Sequence, residues 1–217
     1  MYRAGEIDIA PRQHAQRPKR EGFHATLRDG TPVLVRPVQP DDKWRIEDGL
    51  TRMSPASVYQ RFCRSVARLS ENELRYLTEV DQVRHIAWGA VDPEEPSQPG
   101  LAVARLIAEL DCPARAEVAL TVVDSFRGIG LGTLLLATLC VLAQQQGIRT
   151  LRACILPENS LMIGWFRRLG AQTAGDEGSD EDSMVTLDLC LTGPFLQRVP
   201  AHFADICHRL QAVLGTS

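Results

Sequence analysis

Apolar and polar positions alternate with different periods along this chain, and each change of period marks an expected element. Val118-Ala119-Leu120-Thr121-Val122-Val123 is an apolar run of strand length. Asp124-Ser-Phe-Arg-Gly-Ile-Gly-Leu-Gly132 follows, and from Leu131 the pattern becomes a leucine-rich helix that Gly147 ends. Upstream, Leu27–Thr31 reads as a strand and tight turn, and Pro32–Pro37 as the returning strand. Pro40-Asp41-Asp42 starts a helix with Trp44, Ile46 and Leu50 inside. Ser54-Pro55 opens a second helix through Val58 and Phe62, and Ser70-Glu71-Asn72-Glu73 caps a third that turns Leu74 and Leu77 inward.

Val83–Val91 and Gly100–Leu110 read as strands around the proline-rich loop 92–100. After the glycine turn and its helix come a strand at Thr150–Leu156, a helix at Asn159–Leu169 closed by Gly170, and strands at Gln172–Ala174 and Met184–Leu191. An amphipathic helix carrying Phe203, Ile206, Leu210 and Leu214 ends the chain. The order predicts an α/β (α+β) fold with a mixed, mostly antiparallel sheet. Residues 1–24 are expected to be a leader, 25–191 the domain, and 192–217 a helical extension.

Composition removes several functional classes. A chain of 217 residues is long enough for one real core. A net charge of −3 argues against a nucleic-acid partner. No apolar stretch is long enough for a membrane span, and the basic N-terminal segment lacks the apolar core of a secretory signal, so the expected setting is cytoplasmic. Cys63, Cys112, Cys140, Cys154, Cys190 and Cys207 show no C-x-x-C spacing and read as small buried residues of a reducing compartment. His202 and His208 are wrongly spaced for one helix face, and no metal is implied.

A strand, a glycine-rich turn and a helix N-terminus together make an anion site, because unpaired helix N–H groups point at the ligand. A Walker loop requires a lysine before Thr133, where Gly132 stands. A dinucleotide fold requires a third glycine spaced differently from Gly128, Gly130 and Gly132, and an acid that the next strand lacks. A methyltransferase loop stays open as a minor reading, with Glu158 as its acid.

Arg127-x-x-Gly130-x-Gly132 at this junction resembles the acetyl-CoA pyrophosphate loop of the GNAT superfamily of N-acetyltransferases. Asn159-x-x-Met162-x-x-Trp165-Phe166-x-x-x-Gly170-Ala171 is similar in spacing to the superfamily's second CoA-contacting motif, and Leu27–Pro37 with Asp41-Asp42 resembles its first strand and helix. Within the superfamily, Met53-Ser54-Pro55-x-Ser57-x-Tyr59-x-Arg61-Phe62, Leu69-Ser70, Leu77-Thr78-x-Val80-Asp81, Ala116-Glu117-Val118-Ala119 and Leu156-Pro157-Glu158-Asn159 look like the acetyltransferase domain of bacterial protein lysine acetyltransferases of the Pat type.

The resemblance implies helices on both faces of the sheet, acetyl-CoA as donor and an amine, foremost a protein lysine, as acceptor. Backbone groups from Arg127 through Gly128, Ile129, Gly130 and Leu131 to Gly132 would cradle the pyrophosphate, with the Thr133 hydroxyl beside them. Backbone groups of Leu120, Thr121, Val122 and Val123 would pair with the pantetheine arm, and Asn159 would hold CoA or simply cap its helix. Glu117 would be the general base, its proton affinity raised by desolvation in an apolar strand; a salt bridge to Arg115 or another surface cation is the other role open to it. Where many members carry a tyrosine acid, this chain has Phe166; Tyr59 and Tyr76 lie on the substrate-side helices as possible substitutes. Trp44, Tyr59 and Arg61 are candidates for the acceptor site, although core packing explains Trp44 equally well, and the acidic segment 176–182 either borders the site or is a solvated loop. A small-molecule amine acetyltransferase and a non-catalytic acyl-CoA-binding regulatory module are the alternatives. The sequence leaves the oligomeric state open.

Overall fold

A computed structural model describes residues 22–95, 97–174 and 184–215. Strand β1 (Phe23–Thr26) turns at Gly30, whose φ of 90° suits glycine, into β2 (Pro32–Pro37). A 3-10 turn at Pro40–Asp42 leads into α1 (Lys43–Thr51), followed by α2 (Pro55–Phe62) and α3 (Glu71–Thr78). Then come β3 (His85–Val91), β4 (Gly100–Ala108), β5 (Arg115–Val122), α4 (Leu131–Gln145), β6 (Thr150–Ile155) and α5 (Ser160–Arg168). The short strand β7 (Gln172–Thr173), β8 (Val185–Cys190), α6 (Phe195–Arg198) and α7 (Ala201–Leu214) complete the described chain.

The strands form one sheet in the order β1-β2-β3-β4-β5-β6-β8-β7. Every neighbouring pair is antiparallel except β5 and β6, which α4 connects as a crossover. On one face, Ile86, Trp88, Ala104, Leu106 and Val118 pack against Leu135, Leu139 and Leu142 of α4, all in one buried core. Helix α4 is apolar nearly all round because α7 covers its other side with Phe203, Cys207 and Leu210. On the opposite face α1, α2 and α3 build a smaller cluster from Leu69, Leu74 and Leu77 with Ile46, Leu50 and Phe62.

The expected mixed sheet with helices on both faces is what the chain forms, and the caps do what their residues suggest. Ser70 and Glu73 make a reciprocal capping box at α3, and the Ser54 side chain accepts from the Ser57 N–H at α2. Several details differ. Strand β1 starts at Phe23, inside the segment read as leader, and residues 1–21 lie outside the described residues, as does the acidic segment 176–182. Trp44 is exposed rather than inside α1, with the Arg45 guanidinium stacked 4.4 Å from its ring. Of the six cysteines, all free, only Cys140 and Cys207 are buried; Cys63, Cys154 and Cys190 are exposed, because strand alternation and helix ends turn them outward. Helix α6 was not expected.

Candidate active site

The site begins where two strands part. Strands β5 and β6 pair only at Arg115↔Thr150, Ala116↔Leu151 and Glu117↔Arg152. Both run on, β5 to Val122 and β6 to Ile155, but without partnering each other. On its other side β5 stays paired to β4 as far as Val122↔Ala102. From Val118 onward, therefore, β5 presents an open edge toward β6, with alternate N–H and C=O groups free to receive an extended ligand. Glu117 stands at the fork. Ala119 and Thr121 share its face of the sheet, while Val118, Leu120 and Val122 face the core.

The glycine turn closes the open end of this fork. Gly128 and Gly130 have φ of 79° and 101°, where a side chain would be strained. Gly130 is the N-cap of α4 and has no side chain to offer, so the first N–H groups of the helix at Leu131, Gly132 and Thr133 have no capping side chain and could receive an anion. Gly132 serves a different end: a Cβ there would come within 3.2 Å of Leu120 Cδ2, so its absence lets α4 lie close on β5. The half-buried Thr133 adds a hydroxyl to the same turn.

The turn is also braced by residues that sequence reasoning missed. Asp124 accepts hydrogen bonds from the Ser54 N–H and the Ser57 hydroxyl, each at 2.8 Å, and pairs with Arg127 at 2.9 Å. Burial works against the Asp124 carboxylate, but these hydrogen bonds outweigh it and hold its pKa below the ordinary value. Ser54 N-caps α2, so the turn and this helix are tied through the Asp124 side chain. The Arg127 guanidinium is thereby folded back toward Asp124 and the Val122 carbonyl. From the other side, Arg28 donates its N–H to the Ile129 carbonyl and lays its guanidinium beside Gly130. The spacing of Ser54-Pro55-x-Ser57 was visible as a helix start; its link to Asp124 is a contact between distant segments and carries no local signal.

The remaining expectations fare unevenly. Val123 does not extend the open edge: its N–H donates to the Leu101 carbonyl and its own carbonyl accepts from Phe126. Asn159 caps α5, accepting from the Met162 N–H at 3.3 Å. Phe166 is buried in the core edge-to-face with Trp165, whereas Tyr59 and Tyr76 are exposed. Glu117 is exposed, so the desolvation expected of it is absent. Of the cations open to it as partners, Arg115 pairs with Glu109 at 2.5 Å and the register neighbour Arg152 with Asp188 at 2.8 Å. What Glu117 does face is the half-buried Arg61: burial lowers the pKa of that guanidinium, and the Glu117 carboxylate opposes the shift. Among the described residues no cluster of three or more His, Cys, Asp or Glu is arranged to hold a metal ion, and no helix is long and apolar enough to cross a membrane.

Residues 52–171, more than half of the chain, match the model of the acetyltransferase (GNAT) family. The chain belongs to this family. Acetyltransferase Pat of Mycolicibacterium smegmatis is 37% identical over 145 residues, which are 67% of this chain and 43% of that protein. Acetyltransferase PA5475 of Pseudomonas aeruginosa is 28% identical over 173 residues, 79% of this chain and 91% of that relative. Among solved structures, the GNAT domain of S. lividans PAT superposes with a TM-score of 0.70 at 30% identity, covering 81% of this chain and 99% of that one. The chain thus spans less than half the length of the Mycolicibacterium relative. In this family acetyl-CoA is the acetyl donor, and the described domain is an acetyl-CoA-dependent acetyltransferase domain.

Proposed function

We propose that this domain transfers the acetyl group of acetyl-CoA directly to an amine, foremost a protein lysine, with Glu117 as general base. The observation that carries the reading is the parting of β5 from β6 immediately after Glu117. The pyrophosphate rests on the N–H groups between Arg127 and Thr133, and the pantetheine arm lies along Val118–Val122. The thioester then stops near the fork, where Glu117 is the acid in place. Asn159 caps its helix and also lines the β6 side of the gap.

The chemistry follows from that placement. A lysine ammonium must lose a proton before it can attack. Glu117 is exposed, so it takes that proton through water. The amine nitrogen adds to the thioester carbonyl carbon, whose oxygen is stabilised by a main-chain N–H of the β5 edge. The C–N bond forms, the nitrogen gives up its second proton to water, the C–S bond breaks, and CoA leaves as a thiolate that takes its proton from solvent. Phe166 is buried and has no hydroxyl, so this domain uses no acid at that position. Six free cysteines accord with a cytoplasmic setting, where acetyl-CoA is available.

A thiol-release assay with acetyl-CoA against lysine-containing peptides and small amines tests the reading. Transfer to lysine peptides is expected; turnover with none of the acceptors would leave a binding module. A specific observation favours a small acceptor as second reading: a cavity beneath α1–α3 carries guanidinium groups that no peptide lysine explains.

A further inference from the structure

A cavity of about 80 Å³ lies between helices α1–α3 and the face of the sheet that bears Glu117. Its wall is mainly apolar, with Phe62, Leu77 and Val103, and Thr121 of β5 also lines it. Four arginines also reach it: Arg36, Arg45, Arg61 and Arg105. Two share a single counter-charge, since the buried Asp42 pairs with Arg36 at 2.7 Å and with Arg45 at 3.0 Å. The other two meet no carboxylate within ion-pair distance among the described residues. Arg105 is only 3% exposed. Its Nη1 donates to the Leu77 carbonyl and to His85 Nε2, each at 3.2 Å, and both of these partners are uncharged. His85 is held neutral because burial and then the Arg105 charge push its pKa down to about 4. Burial and the nearby Arg61 bring Arg105 down to about 9, so it still carries its charge at neutral pH.

A buried cation without a paired anion, as Arg105 is, is costly, and its repulsion by Arg61, whose charge Glu117 offsets only in part, adds to that cost. The missing partner is an anion that arrives with the substrate. We propose that this cavity is a carboxylate subsite of the transfer site, in which Arg61 and Arg105 bind a carboxylate carried by the substrate. The inference rests on the acetyl-transfer reading above and names its substrate class. Planar guanidinium forks match a carboxylate. The volume would hold several waters, so it accommodates a carboxylate on a short stem. Ile107 lies opposite Glu117 across β4 and β5, which makes Arg105 the diagonal neighbour of Glu117 on one face, about 7–8 Å away along the backbone. The base and the anion site therefore suit an amine and a carboxylate a few bonds apart, as in an amino acid. The same carboxylate chemistry could instead be supplied by the acyl chain of a dicarboxylic acyl-CoA.

Binding separates this idea from turnover. The full chain is titrated calorimetrically with glutarate, and with dimethyl glutarate as the neutral control, for wild type, Arg105→Met and Arg61→Gln. Glutarate is expected to bind wild type at least tenfold more tightly than the diester, and each variant to lose that preference. This result stands even if no acceptor is turned over, in which case the acetyl-transfer reading falls and the subsite remains. Where turnover occurs, kcat/KM is compared for methionine against 3-(methylthio)propylamine with acetyl-CoA, and for succinyl-CoA against butyryl-CoA with one amine. A tenfold or greater preference for the carboxylate in one pair identifies its source, and Arg105→Met brings the ratio to within twofold of unity. If Arg105→Met fails to fold, Arg61→Gln decides. Equal binding of glutarate and diester, or variants that lower both members of a pair alike, would overturn the proposal and leave Arg105 as a cap on the last carbonyls of α3.

Discussion

Replacing Glu117 by glutamine removes the base while leaving the shape of the fork. Glu117 is exposed, and among the described residues its carboxylate enters no ion pair. The substitution therefore changes stability by less than about 0.5 kcal/mol. Its effect on rate follows from the acceptor. A lysine amine with a pKa near 10.4 is neutral in only about one molecule in a thousand near pH 7.4, which corresponds to a barrier of about 4 kcal/mol that a base can lower. Positioned bases contribute roughly 10²–10⁴-fold. Glu117→Gln is thus expected to lower kcat/KM for a lysine peptide by about 10²–10³-fold at pH 7.4, in a thiol-release assay with saturating acetyl-CoA. The deficit should shrink toward pH 10, where the ammonium loses its proton without help. The affinity for acetyl-CoA, measured separately by calorimetry, should change less than about twofold, because the base touches the acceptor and not the pyrophosphate turn. A variant as active as wild type across that pH range would refute the assignment; equal loss at every pH would point to a positioning role instead.

Two other perturbations probe the frame around the site. At Gly130 an added Cβ meets nothing closer than 3.7 Å, so Gly130→Ala reports backbone strain at φ 101° alone. That strain is worth roughly 1–3 kcal/mol, and it should lower Tm by several degrees and weaken acetyl-CoA at least tenfold; an unchanged Kd would remove the turn from the donor site. His85 has an ordinary pKa of 6.5 that the fold lowers to about 4. Between those values the unfolded chain binds the additional proton, so stability falls as pH drops through that window, by up to about 1.4 kcal/mol per pH unit. Urea unfolding at pH 7 and pH 5 should show a smaller loss for His85→Gln than for wild type, and equal losses would show that His85 is not the group responsible.

Much of this site was legible locally. The glycine turn, the capping serines at Ser54 and Ser70, and the strand entering the turn depend on short-range backbone chemistry, and they lie where their residues place them. What stayed hidden depends on contacts between distant segments. An apolar run such as Val118–Val123 does not reveal that its β6 side is unpaired, because strand pairing is not written in either strand alone. Nor does it reveal that the Val123 N–H is already taken by Leu101. Glu117 looked desolvated because its sequence neighbours are apolar; strand alternation sends those neighbours to the core and Glu117 to water. Arg105 misleads in the opposite sense, since a charged residue within a strand reads as an outward position, yet α3 covers it.

The central claim is that acetyl-CoA lies along the open edge of β5 with its pyrophosphate on the turn before α4. Hydrogen–deuterium exchange with and without saturating acetyl-CoA tests it most directly. Protection should concentrate in the segment 118–133, covering the β5 edge and the first turn of α4, while β1–β3 exchange as before. Unchanged exchange across 118–133 in protein shown by calorimetry to be saturated with acetyl-CoA would contradict it.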